Sequence, residues 1–211
     1  MQQFNSSDIV AMDQRYRAAF INSLGGFKSG VLVGTVDNDG HTNLAIFSSL
    51  FHLGANPALC GLIIRPDSVA RNTYENILQT GSYTINHINE GIYKQAHQTS
   101  ARYDKEVSEF TETGLTPQFM PGTAAPYVEE STVKFALEFA EKHELKINGT
   151  ILVIGKIVNV LVPVSCILPD GFVDIERAGT VAVSGLDSYH TTQRLSRLSY
   201  AKPGAAISEI S

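Results

Sequence analysis

The chain has 211 residues, 43% hydrophobic and 18% charged, which suits one domain with appendages and excludes a disordered polymer. Its formal net charge of −5 argues against a dedicated nucleic-acid binder, so any anionic ligand must be gripped by a local cluster. No apolar run reaches the length of a membrane span and no basic-then-apolar leader is evident, so a cytoplasmic protein without membrane contact is expected.

Residues 1–12 are weakly patterned and read as an arm. From Asp13 to Leu24 the spacing of Tyr16, Ala19 and Phe20 fits a short helix stopped by Gly25 and Gly26. The β-branched run GVLVGTVD (30–37) reads as a strand, DNDG (37–40) carries the Asp-Gly hairpin signal, and HTNLAIFSS (41–49) returns from it. ALCGLIIRP (58–66) is a third strand ended by Pro66. In the stretch RPDSVARNTYENI (65–77), Asn72 followed by Glu75 has the form of a capping box. TYENILQTG then reads as a short helix with Gly81 at its end, and GSYTINHI (81–88) as a fourth strand. Residues 131–147 are rich in helix formers, yet Val133, Phe135, Leu137 and Phe139 alternate strictly. Period two decides which face is buried, so a strand is expected. Asn148-Gly149 turns it into a partner strand over 151–162, and Asp170-Gly171 and TVAVSG (180–185) indicate further β structure. Cys60 and Cys166 lie far apart in apolar segments and read as buried free thiols of a reducing compartment. Helices do not alternate regularly with strands, so a β-barrel decorated with helices fits better than a doubly wound sheet.

The chain has no P-loop, no G-x-G-x-x-G after a strand and no G-x-S-x-G. Its six histidines show no H-x-x-x-H spacing and its cysteines are not paired, so no metal site is expected. The carboxylates Glu129, Glu130, Glu106 and Glu109 read as solvated faces. Two segments remain. In TNLAIFSSLFHLGANPAL (42–59), Asn43, Ser48 and Ser49 leave backbone groups reachable by a flat heteroaromatic ligand, or else Ser48, Ser49, Gly54 and Asn56 are ordinary loop residues. In the RPDSVARNTYENI stretch the helix start either needs only its cap or forms an anion site with Arg71 and Thr73.

Taken together, GVLVGTVDNDGHTNLAIFSSLFHLGANPALCGLIIRP, RNTYENILQTGSYTINHI, SEFTETGLTP and GLDSYHTTQRLSRLSYAKP resemble the flavin reductase-like branch of the FMN-binding split-barrel flavoproteins. The matching pieces run from about residue 20 to residue 203. The resemblance implies a mainly β fold with helices, a six-stranded Greek-key split barrel, dimeric, with FMN near the subunit interface. It implies a single domain over residues 1–211, with residues 186–211 packing on the barrel. Asn43, Leu44, Ala45, Ser48 and Ser49 would line the isoalloxazine ring or the ribityl chain. Arg71, Asn72 and Thr73 would bind the phosphate, with Arg65 nearby. His97 borders the open flavin face in this reading, or is simply an exposed helical histidine. Tyr189 and His190 reach over the flavin, or the segment merely packs, while Arg194 and Arg197 would pair with carboxylates of a partner subunit. The implied activity is hydride transfer from NADH or NADPH to flavin or a similar small acceptor, with the chemistry supplied by the cofactor. The alternative is an FMN-containing electron-transfer protein that works with a redox partner protein.

Overall fold

The computed structural model describes residues 1–66 and 71–210. Two helices come first, α1 (Ser6–Ala11) and α2 (Gln14–Ser23). Asn5 caps α1 by accepting the Ser7 and Asp8 N–H groups, and the Asp8 carboxylate accepts the Asn5 N–H at 2.8 Å in return. The arm expected over residues 1–12 therefore contains a helix. Neither helix buries a residue, so no apolar stripe was there to betray α1.

Next come β1 (Lys28–Ser29), β2 (Val31–Val36), β3 (Thr42–Phe47), β4 (Phe51–Ala55) and β5 (Ala58–Ile64). Helix α3 (Asn72–Thr80), strand β6 (Ser82–His87) and helices α4 (Tyr93–Gln98) and α5 (Glu109–Thr113) follow. The two-residue strands β7 (Pro117–Gln118) and β8 (Tyr127–Val128) precede the long pair β9 (Lys134–Leu145) and β10 (Thr150–Leu161). Strands β11 (Ala182–Ser184), β12 (Ser188–His190), β13 (Arg197–Leu198) and β14 (Glu209–Ile210) complete the chain.

The main sheet has seven antiparallel strands in the order β3-β2-β6-β9-β10-β5-β4. Six of these match the expected strands; the seventh, β4, falls where the sequence read as loop. Its FHLGA residues lie on an exposed edge and bury no side chain fully, so no hydrophobic alternation marks them. β9 pairs with β6 only along Lys134–Glu138, and β10 pairs with β5 only along Ile151–Lys156, so the two long strands are flanked on opposite halves. A smaller sheet, β1-β11-β12, lies beside the start of β2.

All six residues of β2 are buried because it is covered on both faces. One core cluster contains Val31, Val33, Leu62, Tyr83, Ile85 and Leu137, with Tyr74 and Ile77 of α3 packed into it. The other contains Leu32, Leu44, Ile88, Ala96 and Phe110, which places α4 and α5 on the opposite side. Along β9, Leu137 is buried in the first cluster and Phe135 and Phe139 pack against it, so the period-two signal prevails over helix propensity as expected. The β2–β3 hairpin forms at the expected turn. Asp37 closes it by accepting the Asp39 and His41 N–H groups and contacting His41 Nδ1 at 3.1 Å, which lowers its carboxyl pKa. The same turn gathers the ligand-type atoms of Asp37, Asp39 and His41 within 4.8 Å, a consequence of its hydrogen bonding. Both cysteines are buried free thiols, and among the described residues no helix is long and apolar enough to cross a membrane.

Candidate functional site

Strand β3 is one edge of the main sheet, so half of its backbone groups face away from β2. The Leu44 N–H is one of these, and it donates to the Glu109 carboxylate at 2.9 Å. Alternation then turns the Ile46 backbone outward as well. Leu44 itself is a fully buried core side chain, while Ala45 is half-buried. Ser48 sits half-buried in the bend that follows β3, and Ser49 Oγ donates to the Ile63 carbonyl at 2.9 Å, tying that bend to β5.

Helix α3 starts against the same strand. Asn43 Nδ2 donates to Thr73 Oγ1 at 3.0 Å and to Thr35 Oγ1 at 3.3 Å, and Asn76 Nδ2 donates to Thr35 Oγ1 at 3.2 Å. All four side chains are buried, so this network fixes the first turn of α3 on β2 and β3. Asn76 Oδ1 is buried without a hydrogen-bond partner, an acceptor that a ligand hydroxyl or water would satisfy.

The helix cap differs from the expected one. Arg71, rather than Asn72, is the N-cap, and among the described residues no side chain caps the helix. The Glu75 carboxylate still reaches back, but to the Arg71 N–H at 3.2 Å. Among the described residues, the first-turn N–H groups of Asn72, Thr73 and Tyr74 thus have no helical partner and no capping side chain, which is the arrangement that receives an anion. Arg71 Nε and Nη2 both donate to the Pro66 carbonyl at 3.2 Å, holding the guanidinium back on its own connection. Arg65 is exposed just past β5; residues 67–70 of this stretch lie outside the described residues.

A second group lies on the other face of β3. His97 Nδ1 and the Tyr189 hydroxyl are 2.9 Å apart with their rings edge-to-face, and Tyr93 lies against Tyr189 with ring centroids 5.5 Å apart. Tyr93 and Tyr189 pack on the cluster that contains Leu44, beside Ile46. Burial, and after it the charge of Asp187, raises the Tyr189 pKa. The structure therefore joins His97 to Tyr189 directly. His190 turns elsewhere, with Nε2 at 2.8 Å from Ser184 Oγ.

Three residues of the site were missed from the sequence. Asn76 follows Thr73 by three positions, and that helical spacing was a usable signal. Lys142 donates to the Tyr74 hydroxyl at 2.8 Å and brings a cation to the first turn of α3, but it is brought there from β9 and no local pattern reveals it. Glu109 was read as solvated, yet it is 7% exposed. Its neighbours in SEFTET look like a surface helix start, and only the bare edge of β3 explains its burial. Arg194 and Arg197, expected to meet carboxylates of a partner subunit, pair with Asp174 and Asp170 of their own chain and flank the Phe172 ring.

Flavin reductase like domain is the family model that matches, over residues 24–167. A protein from Shewanella frigidimarina NCIMB 400, provisionally assigned as a flavin reductase with a split barrel domain, superposes with a TM-score of 0.92. It is 55% identical, and the match covers 95% of this chain and all of that one. Flavoredoxin of Desulfovibrio vulgaris (Miyazaki F) superposes with a TM-score of 0.70 at 25% identity, covering 86% of this chain and 93% of the other. An Aquifex aeolicus (strain VF5) protein is 27% identical over 135 residues, which is 57% of this chain and 69% of that protein. The mainly β architecture with its helices is thus the split-barrel fold. With more than half of its length matched by the family model, the chain belongs to the flavin reductase like family of flavin-related oxidoreductases.

Proposed function

We propose that the chain, as one domain over residues 1–211, binds FMN and uses NADH or NADPH to reduce flavin or a similar small acceptor. The observation that carries this reading is the uncapped first turn of α3, fastened by the Asn43–Thr73 hydrogen bond to the edge strand β3. Phosphate would meet the N–H groups of Asn72 and Thr73, with Arg71 swinging from the Pro66 carbonyl to add a charge-assisted bond. The unpartnered Asn76 Oδ1 is an acceptor at the same turn and suits a ribityl hydroxyl. The ring would lie along the β3 edge toward Ser48 and Ser49. FMN, when bound, supplies the hydride chemistry; the chain's own residues hold it, orient it and keep water from it.

Assembly as a homodimer belongs to the same proposal. Phe51 and Leu53 on β4 and Val158 and Val160 on β10 stay exposed, an apolar set that a second copy would cover. The likeness to flavoredoxin supports a second reading, an FMN electron carrier acting with a protein partner.

Purified protein titrated with FMN, then mixed anaerobically with NADH or NADPH, tests the reading. Saturable FMN binding and rapid bleaching of the flavin absorbance support the reductase; binding without bleaching at millimolar nicotinamide supports the carrier. Failure to bind FMN would sink both. Replacing Arg71 and Thr73 together with alanine is expected to weaken FMN binding by several kcal/mol at most, at roughly 1.5–3 per charge-assisted bond. Unchanged affinity with a stability loss of about 1 kcal/mol, from the lost Asn43–Thr73 hydrogen bond, would reduce this turn to a structural helix start.

A further inference from the structure

A cavity of about 220 Å³ opens between the small β1-β11-β12 sheet and the first residues of β2. Phe27, Val31, Ile175 and Val181 give it apolar walls. His87, paired opposite Val31 in the sheet, is one of the lining residues.

His87 is held on two sides. Nδ1 is 3.1 Å from Thr180 Oγ1, and the ring stands edge-on to Phe135 at 6.3 Å. Among the described residues none bonds to Nε2, which leaves one hydrogen-bonding position of this lining residue open. Desolvation pushes the His87 pKa down to about 4, so the imidazole is neutral at pH 7 and offers no charge to an anion. Lys28, the cation at the rim, donates to the Gly185 carbonyl at 2.8 Å and the Asn22 carbonyl at 3.4 Å. Its charge is directed to backbone oxygens.

Size narrows the occupant further. An apolar cavity of about 150 Å³ accepts benzene, so 220 Å³ admits one ring with a small substituent. Apolar walls with a few polar groups are the usual make-up of a small-molecule site. We propose that this cavity binds a small uncharged aromatic molecule bearing a hydroxyl or carbonyl oxygen, held by a hydrogen bond to His87 Nε2 and by contact with Phe27 and Val181. The site is separate from the flavin reading, since none of the β3 or α3 residues assigned to FMN lines it.

The test is a titration of the full chain, at pH 7.5, with phenol and with benzamide, followed by the side-chain nitrogen resonances of His87. Both probes are expected to shift Nε2 saturably in the millimolar range, with benzene and benzoate at least fivefold weaker. His87→Phe keeps the ring but removes Nε2, and phenol affinity is expected to fall at least tenfold. His87→Leu, which also lacks any hydrogen-bonding atom, serves as the second variant should the phenylalanine not fold. Binding of phenol by either folded variant at wild-type affinity, or the lack of a saturable shift, overturns the proposal. So does equal affinity for benzoate. The titration is repeated with FMN-saturated protein; loss of phenol binding there would assign the cavity to the flavin and overturn a separate site.

Discussion

The carboxyl of Glu109 is buried by α5 against β3, and desolvation raises its pKa above the ordinary carboxylate value despite the Leu44 hydrogen bond. A raised acid binds more protons folded than unfolded. Its stabilising share is therefore full below the unfolded pKa and is lost as pH rises through the folded one. Glu109→Gln keeps an acceptor for the Leu44 N–H but cannot ionise. The variant is expected to gain on the wild type in urea denaturation as pH is raised from 4 to 8, whereas a constant difference would mean that Glu109 ionises freely. His87 behaves oppositely. Its folded pKa near 4 lies below the unfolded 6.5, so protons bind the unfolded chain first and stability falls between about pH 6.5 and 4. The fall is on the order of 2–3 kcal/mol. It is expected to vanish in His87→Phe, read by chemical denaturation at pH 7 and pH 4.5. Neither environment was legible in the sequence, because burial of both groups depends on elements that pack from far along the chain. Thr73 and Asn43 were legible as site residues through resemblance, but their mutual hydrogen bond was not, being a contact across thirty positions.

At the scale of elements, close approach decides two glycines differently. A Cβ on Gly34 in β2 would run into the backbone carbonyl of Pro126 and lie 2.6 Å from Thr84 Oγ1, neither free to retreat. On Gly61 in β5 the nearest atoms it would meet belong to the ring of Phe51, which is 40% exposed on the edge strand β4. Gly34→Ala is expected to cost about 3 kcal/mol or to prevent folding, and Gly61→Ala less than about 1.5. Equal losses in thermal denaturation would contradict the assignment of rigid and yielding neighbours. Strands with a buried face and a turn signal were readable, as β2, β3, β9 and β10 show. Gly81, with φ 67°, ended α3 where expected because only a left-handed residue passes there cheaply. Among what escaped were α1 and β4, which lack a buried face, the short α5 and β8, and the cap of α3, where Glu75 reaches one residue further back than the capping box implies.

For the molecule as a whole, the C-terminal segment is fastened by charge and aromatic contact more than by burial. Arg194 and Arg197 bridge Asp174 and Asp170, with the Phe172 ring between them, 4.2 Å from the Arg197 guanidinium. The strands β13 and β14 add a short hairpin whose residues are mostly exposed. Phe172→Ala is expected to speed hydrogen exchange over residues 191–210 while lowering Tm by no more than about 4 °C, since a cation–π contact contributes roughly 1 kcal/mol. A loss of protection spreading into β2 or β6 would show instead that this segment carries the main sheet.

The offset pairing of the two longest strands has a consequence for what this sheet can meet. Among the described residues, beyond Phe139 no strand pairs with β9 on the side away from β10, and beyond Lys156 the same holds for β10 on the side away from β9. The first bare stretch carries Glu141, Lys142 and Glu144, charges that repel an incoming strand. The second reads IVNVL and has no such fence. The long hairpin is therefore polarised: charge disfavours strand addition at one half, and the other half lacks that charge.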